Sequence, residues 1–238
     1  MGEAILKVKN LNACYGLVCA LKGIDFYAHG DEIVGIIGPN GAGKTTLLET
    51  IAGTHHAAQG AIELDGHRIE DWPVLKRRQL GLMLIPQERN IFPLMSVQKN
   101  LDVSVMYSGA SERRRLLEYI FELFPILKEK RKQNASTLSG GQQKMLAVGI
   151  GIASNARVLL IDEPSIGLAP KLVTKLFETF KKIKEDTKKT IVLAEQNIKI
   201  LTIADRLFGL EAGEIKFDEK TENLSREAVT NLYMGNVG

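Results

Sequence analysis

Residues 33–48 run Ile33-Val34-Gly35-Ile36-Ile37-Gly38-Pro39-Asn40-Gly41-Ala42-Gly43-Lys44-Thr45-Thr46-Leu47-Leu48. The first five form an unbroken apolar run, as suits a strand of a parallel sheet buried on both faces. The eight from Gly38 match G-x-x-x-x-G-K-[ST], a phosphate-binding loop, and Thr46-Leu47-Leu48 opens a helix behind it. Glycines let backbone N–H groups turn inward around phosphate oxygens, and the helix adds its positive N-terminal end. Gly38, Pro39, Asn40, Gly41, Ala42, Gly43 and Thr46 thus form a candidate phosphate cradle. Lys44 supplies charge to the outer phosphates, and Thr45 offers a hydroxyl to Mg²⁺. A glycine-rich surface turn is the plainer alternative; the strand before it and the helix after it argue against that.

Outward from this loop the same pattern repeats. Leu82-Met83-Leu84-Ile85, Val158-Leu159-Leu160-Ile161 and Ile191-Val192-Leu193-Ala194 are further continuous apolar runs. Between them lie helical patterns. Lys171 to Lys184 sets Leu172, Val173, Leu176, Phe177, Phe180 and Ile183 on one stripe, with Pro170 in the first turn. The fold class expected is α/β. The N-terminal part reads instead as an antiparallel portion. It has strands at Leu6–Leu11, Val18–Phe26 and Ala61–Leu64, and Met1 to Asn10 alternates as a strand would. A hairpin turning at Ala212-Gly213 is expected over Arg206–Asp218. From Ser96 to Leu138 no strand signal occurs. Leu116, Leu117, Ile120, Leu123 and Phe124 recur at helical spacing until Pro125, so residues 96–138 read as an inserted helical lobe.

With 238 residues, 45% of them apolar, the chain has length and core for one α/β domain carrying such a lobe. A net charge of +3 is too mild for a nucleic-acid binder, so no nucleic-acid partner is expected. The two cysteines, Cys14 and Cys19, suggest neither a disulfide framework nor a metal site, which points to a reducing compartment. No signal peptide is visible. The longest apolar stretch, near Met145 to Ala153, falls well short of the ~20 residues of a membrane span. A membrane role would therefore be exercised through partners. The basic clusters Arg113-Arg114-Arg115 and Lys128 to Lys132 read first as a solvated helical face.

The run Val158–Ile161 ends in Asp162-Glu163-Pro164. A buried strand that delivers two carboxylates to the carboxyl edge of a parallel sheet puts them where such sheets bind ligands. Asp162 would hold the Mg²⁺ shell, and Glu163 would orient or deprotonate an attacking water. Some twenty residues earlier stands Leu138-Ser139-Gly140-Gly141-Gln142. Ser139 and Gln142 have capping-box spacing, so a helix starts there.

That L-S-G-G-Q run is the signature of ABC transporter ATPases, which the chain resembles over nearly its whole length. The resemblance implies a single P-loop ABC-type nucleotide-binding domain over 1–238, with an antiparallel β portion and the helical lobe at about 96–138. It implies hydrolysis of ATP with Mg²⁺, driving membrane transport. In that family the signature, here Ser139, Gly140, Gly141 and Gln142, meets the γ-phosphate of ATP held by the opposing subunit. Tyr15 matches the aromatic that stacks on adenine. Gln87 matches the glutamine that senses Mg²⁺ and γ-phosphate, and Ser165 to Pro170 sits where the D-loop lies.

One position departs from the common pattern. Gln196 occupies the place of a histidine that contacts the γ-phosphate. A neutral amide still donates a hydrogen bond, but it cannot become cationic. Gln196-Asn197 together with the Gly-Leu-Ala-Pro D-loop resembles an ATPase subunit of branched-chain amino acid importers, with urea-import relatives sharing these features. The partners so implied are a second ATPase subunit, like or unlike, transmembrane permease subunits and a separate substrate-binding protein, at the cytoplasmic face of the membrane. A soluble ABC ATPase of the chromosome-organising type would insert long coiled coils, and a translation-factor type would be duplicated; neither fits. A lipopolysaccharide-type exporter is opposed only by Gln196 and the D-loop.

Overall fold

The computed structural model describes residues 3–88, 90–106, 108–154 and 156–234. In chain order the strands and helices begin with β1 (Ala4–Tyr15), β2 (Val18–His29), β3 (Ile33–Ile37), α1 (Lys44–Ala52), β4 (Gln59–Leu64) and β5 (His67–Arg68). There follow α2 (Val74–Gln79), β6 (Leu82–Ile85), α3 (Val97–Ser104), α4 (Ala110–Leu123), α5 (Pro125–Glu129) and α6 (Gly140–Ala153). The last are β7 (Val158–Asp162), α7 (Pro170–Thr187), β8 (Thr190–Glu195), β9 (Arg206–Glu211), β10 (Glu214–Lys220) and α8 (Arg226–Met234).

Two sheets result. A four-stranded antiparallel sheet runs β2-β1-β4-β5, and a six-stranded one runs β10-β9-β3-β8-β7-β6. Within the second, β9, β3, β8, β7 and β6 are parallel and β10 closes the edge antiparallel. The apolar runs occupy its centre because both faces are covered. Ile33, Ile37, Leu159, Ile161, Ile191 and Leu193 face a core shared with α6 and α7. Val34, Ile36, Val158, Leu160, Val192 and Ala194 face a second core shared with α1 and the antiparallel sheet. The period-2 alternation of side chains thus splits each run between two cores.

Helix α7 buries Val173, Leu176, Phe177, Phe180 and Ile183, while Leu172, counted on the same stripe above, is exposed. Between β6 and β7 the chain runs through α3, α4, α5 and α6. Helix α4 ends at Leu123, and after Phe124, which caps both helices, Pro125 is the first residue of α5. The arginine cluster of α4 is paired on the surface: Arg113 to Asp102 at 2.9 Å and Arg114 to Glu118 at 2.9 Å. No helix among the described residues is long and apolar enough to cross a membrane.

Strands β1 and β2 are longer than the sequence pattern suggested, and Met1 and Gly2 lie outside the described residues. The pairing has register shifts near Asn10, which adopts a left-handed φ of 46°. Bulged polar residues read as a strand end in sequence, but here they only re-aim the chain. Cysteine pairing needs a correction. Cys14 faces Cys19 across the β1–β2 hairpin, with Cα atoms 3.8 Å apart, and the two are joined in a disulfide. A tight turn brought two residues of low sequence separation opposite each other, which spacing arithmetic alone did not register. With that bond, the cysteines no longer argue for a reducing compartment.

Candidate functional site

Three neighbouring strands of the parallel sheet end side by side. Ile37 of β3 pairs with Glu195 of β8, and Ala194 of β8 pairs with Asp162 of β7. Their exits carry Gly38, Gln196 and Glu163, so residues scattered over 158 positions meet at one carboxyl edge. The turn after β3 must be glycine-rich. A Cβ at Gly38 would lie 2.0 Å from the Leu210 carbonyl oxygen. Gly43, which caps α1, has φ 108°, a conformation L side chains avoid.

Lys44, only 4% exposed, folds back along this turn. Its Nζ donates to the carbonyls of Gly38 at 2.9 Å and Pro39 at 3.1 Å, and pairs with Glu163 Oε1 at 3.2 Å. Glu163 has φ 42°. That left-handed backbone is costly for a residue with a Cβ, of order 1–3 kcal/mol, and persists where the surroundings enforce it. The surroundings are visible: the Glu163 N–H donates to Ala194 O at 2.9 Å, and Lys144 Nζ donates to the Glu163 carbonyl at 3.2 Å.

Thr45 Oγ1 donates to Asp162 Oδ2 at 2.9 Å. The other oxygen, Oδ1, is buried and has no hydrogen-bond partner. Burial pushes the Asp162 pKa up to about 6; the Thr45 hydrogen bond opposes this and the Glu163 charge adds to it. A hydroxyl and a carboxylate with one buried, uncommitted oxygen are hard donors of the kind Mg²⁺ takes, so the residues fit that ion. Gln87 lines the same narrow crevice as Asp162, Lys144 and Pro164.

Tyr15 stands at the end of β1, half exposed, with its ring 4.3 Å from that of His55. Its hydroxyl lies 3.4 Å from Thr46 Oγ1 and 3.5 Å from Glu49 Oε2, which brings it to the first turns of α1. Ser139 caps α6 in the expected capping box: its Oγ accepts from Gln142 N at 3.4 Å, and Gln142 Oε1 accepts from Ser139 N at 3.2 Å. Among the described residues, no hydrogen bond of Ser139, Gly140, Gly141 or Gln142 reaches the phosphate loop of the same chain. The structure therefore brings together the loop, Asp162, Glu163 and Tyr15, and leaves the signature turned outward on its own exposed helix end.

The ABC transporter family profile matches residues 21–166. A branched-chain amino acid transport ATP-binding protein of Pseudomonas aeruginosa, BraG, is 35% identical over 97% of this chain and 100% of its own. The chain belongs to the ABC transporter family. LivF of Archaeoglobus fulgidus, described as a probable branched-chain amino acid transport ATP-binding protein, is 34% identical over 97% of this chain and 99% of its own. Among solved structures, a dimeric ATP-binding cassette in a post-hydrolysis state with ADP and phosphate superimposes with a TM-score of 0.82. That match has 25% identity and covers 92% of this chain and 100% of the other. The chain is accordingly an ABC ATPase.

Four residues around this ABC site carry no sequence motif. Lys144 of α6 has its pKa lowered by burial, opposed by the charges of Glu195, Glu163 and Asp162. His55 backs Tyr15. Glu195, at the end of β8, is buried and accepts two hydrogen bonds from Ser165. Tyr233 of α8 donates its hydroxyl to the Gln196 carbonyl at 3.0 Å, and burial pushes its pKa up to about 12. Only the strand ends, once paired, reveal why these four matter. Gln196 itself is exposed beside them.

Proposed function

We propose that this chain energises an importer of branched-chain amino acids from the cytoplasmic face of a membrane, paired with a second ATPase subunit and bound to permease subunits fed by a separate binding protein. The observation that carries the cargo is the near end-to-end likeness to two proteins described as branched-chain amino acid transport ATP-binding proteins. In this reading residues 1–238 act as one cassette, with 96–138 as its helical lobe. Two ATP molecules lie between facing cassettes. Each is cradled by Gly38–Thr46 of one chain, stacked on its Tyr15, and met by Ser139, Gly140, Gly141 and Gln142 of the other. The outward exposure of Ser139, engaged only in its own cap, supports a role across an interface.

Lys44 exchanges its backbone partners for phosphate oxygens, which releases Glu163 from the ion pair to hold the attacking water. Thr45, Asp162 and Gln87 would hold Mg²⁺, which would neutralise phosphate charge. Glu163 accepts the proton of the water or orients it. Gln196 donates an amide hydrogen toward the γ-phosphate.

The test is to purify the chain with the membrane subunits that accompany it, rebuild them in vesicles, and supply leucine, isoleucine, valine or urea. The expected result is ATP-dependent uptake of the branched-chain amino acids, abolished by Glu163→Gln. Stimulation by urea instead, or accompanying subunits that export, would overturn the cargo while leaving the ATPase in place.

A further inference from the structure

Among the described residues, Glu195 is the most deeply buried charged side chain. It is the last residue of β8 and only 1% exposed. Burial raises its pKa, with hydrogen bonds from Ser165 opposing. Among the described residues no lysine or arginine lies within ion-pair distance of it. A buried carboxylate without a paired cation is costly unless several donors satisfy it. Among the described residues, the donors come from two places. Ser165 gives both its N–H, to Oε1 at 2.9 Å, and its hydroxyl, to Oε2 at 2.7 Å. Asn197 gives its N–H to Oε2 at 3.3 Å.

An apolar side chain would fill this space as the rest of β8 does, from Ile191 to Ala194. What an apolar side chain could not do is grip Ser165 by backbone and hydroxyl at once. Charge-assisted bonds of this kind are strong and directional. They join the turn that leaves Glu163 to the turn that carries Gln196. Immediately beyond Ser165 the chain exposes Ile166 at 45%.

We propose that Glu195 is a positioning residue that locks Ser165 and Ile166 to the Gln196–Asn197 turn, so that a phosphate contact at Gln196 is passed to the surface facing the partner cassette. This rests on the reading above, in which Gln196 meets the γ-phosphate and the two cassettes close around ATP. Glu195 touches no nucleotide in this scheme. Its removal lowers turnover through geometry and leaves each chain's own nucleotide binding intact.

The test uses the full-length chain carrying Glu195→Ala, Glu195→Gln, Ser165→Ala, and Glu195→Ala with Ser165→Ala. Glu195→Gln keeps size and one accepting oxygen and guards against simple misfolding. Mg-ATP affinity, kcat, KM and melting temperature are measured for each. ATP-driven dimerisation is measured by light scattering in a Glu163→Gln background. The expected result for Glu195→Ala is a kcat lower by about 10- to 100-fold, as for a small misplacement of reacting groups, with KM within about threefold of parent. Glu195→Gln lies between, and the double variant is no worse than Glu195→Ala, because one clamp is removed only once. Parental kcat in both Glu195 variants, or strictly additive effects with Ser165→Ala, would overturn the proposal. So would a joint fall of affinity and melting temperature in both, which would mark a purely structural charge. If the Glu163→Gln protein forms no ATP-dependent dimer, the underlying reading fails and takes this inference with it. If it dimerises and Glu195→Gln changes neither dimerisation nor turnover, only the inference fails.

Discussion

Replacing Asp162 by asparagine should make the chain more stable and unable to work. The Asp162 carboxyl holds its proton to about pH 6 in the folded chain, against an ordinary value of 3.8, chiefly because it is buried. Between those values the folded chain binds more protons than the unfolded one, so stability falls as pH rises through the window. Above it the ionised carboxylate costs the fold a constant amount. A difference of about 2 in pKa is worth ~3 kcal/mol. An amide in its place leaves a buried N–H₂ where Oδ1 now lacks a partner, which returns about 1–2 kcal/mol. The net expectation for Asp162→Asn at pH 8 is a gain of about 1–2 kcal/mol, or roughly 2–8 °C in melting temperature for a chain of this size. Near pH 4 the gain should vanish or reverse, since the parental carboxyl is then neutral. Thermal melts in EDTA without nucleotide, from pH 4 to pH 8, measure this directly, and Mg-ATP binding is followed in parallel. A variant less stable than parent at pH 8, or a difference independent of pH, would refute the view that Asp162 is a destabilising charge kept for its ligand.

Glu163→Gln should retain ATP binding and lose turnover by about 10²- to 10⁴-fold, the usual contribution of a group that handles the attacking water; parental turnover in a phosphate-release assay would move that role elsewhere. Ser139→Arg should leave ATP binding to the single chain unchanged and abolish ATP-driven dimerisation. Scattering that still reports a dimer would contradict a signature acting across the interface. Gln196→Ala should lower turnover about tenfold or more, the scale of one hydrogen bond to a charged group at roughly 1.5–3 kcal/mol. Gln196→His should recover it with a new titration near pH ~6.5 that the parent lacks; full turnover in the alanine variant would remove Gln196 from the phosphate.

What could be read from the chain alone was whatever is local. The phosphate loop, the run ending at Asp162 and the Ser139–Gln142 cap each declare themselves within a few residues, because a turn, a strand end and a helix start are set by neighbours. Strand β1, read from sequence as Leu6–Leu11, continues to Tyr15 past the register shifts around Asn10, and β2, read as Val18–Phe26, runs on to His29. The Cys14–Cys19 bond depends on which residues face each other across a hairpin, and that register is fixed by turn geometry. Glu195 holding Ser165, Lys144 on the Glu163 carbonyl and Tyr233 on the Gln196 carbonyl each join separate elements. Such contacts exist only once the sheet has set β3, β8 and β7 side by side.

The hydroxyl of Tyr233 ties the far end of α8 to the strand exit that carries Gln196. Any affinity tag, fluorescent fusion or trimming applied just past α8 therefore pulls on a helix in direct contact with the strand exit that carries Gln196. A chain shortened or extended there would report the mechanics of its attachment along with its own turnover. For comparisons of turnover between variants, the helix that carries Tyr233 is best left unaltered.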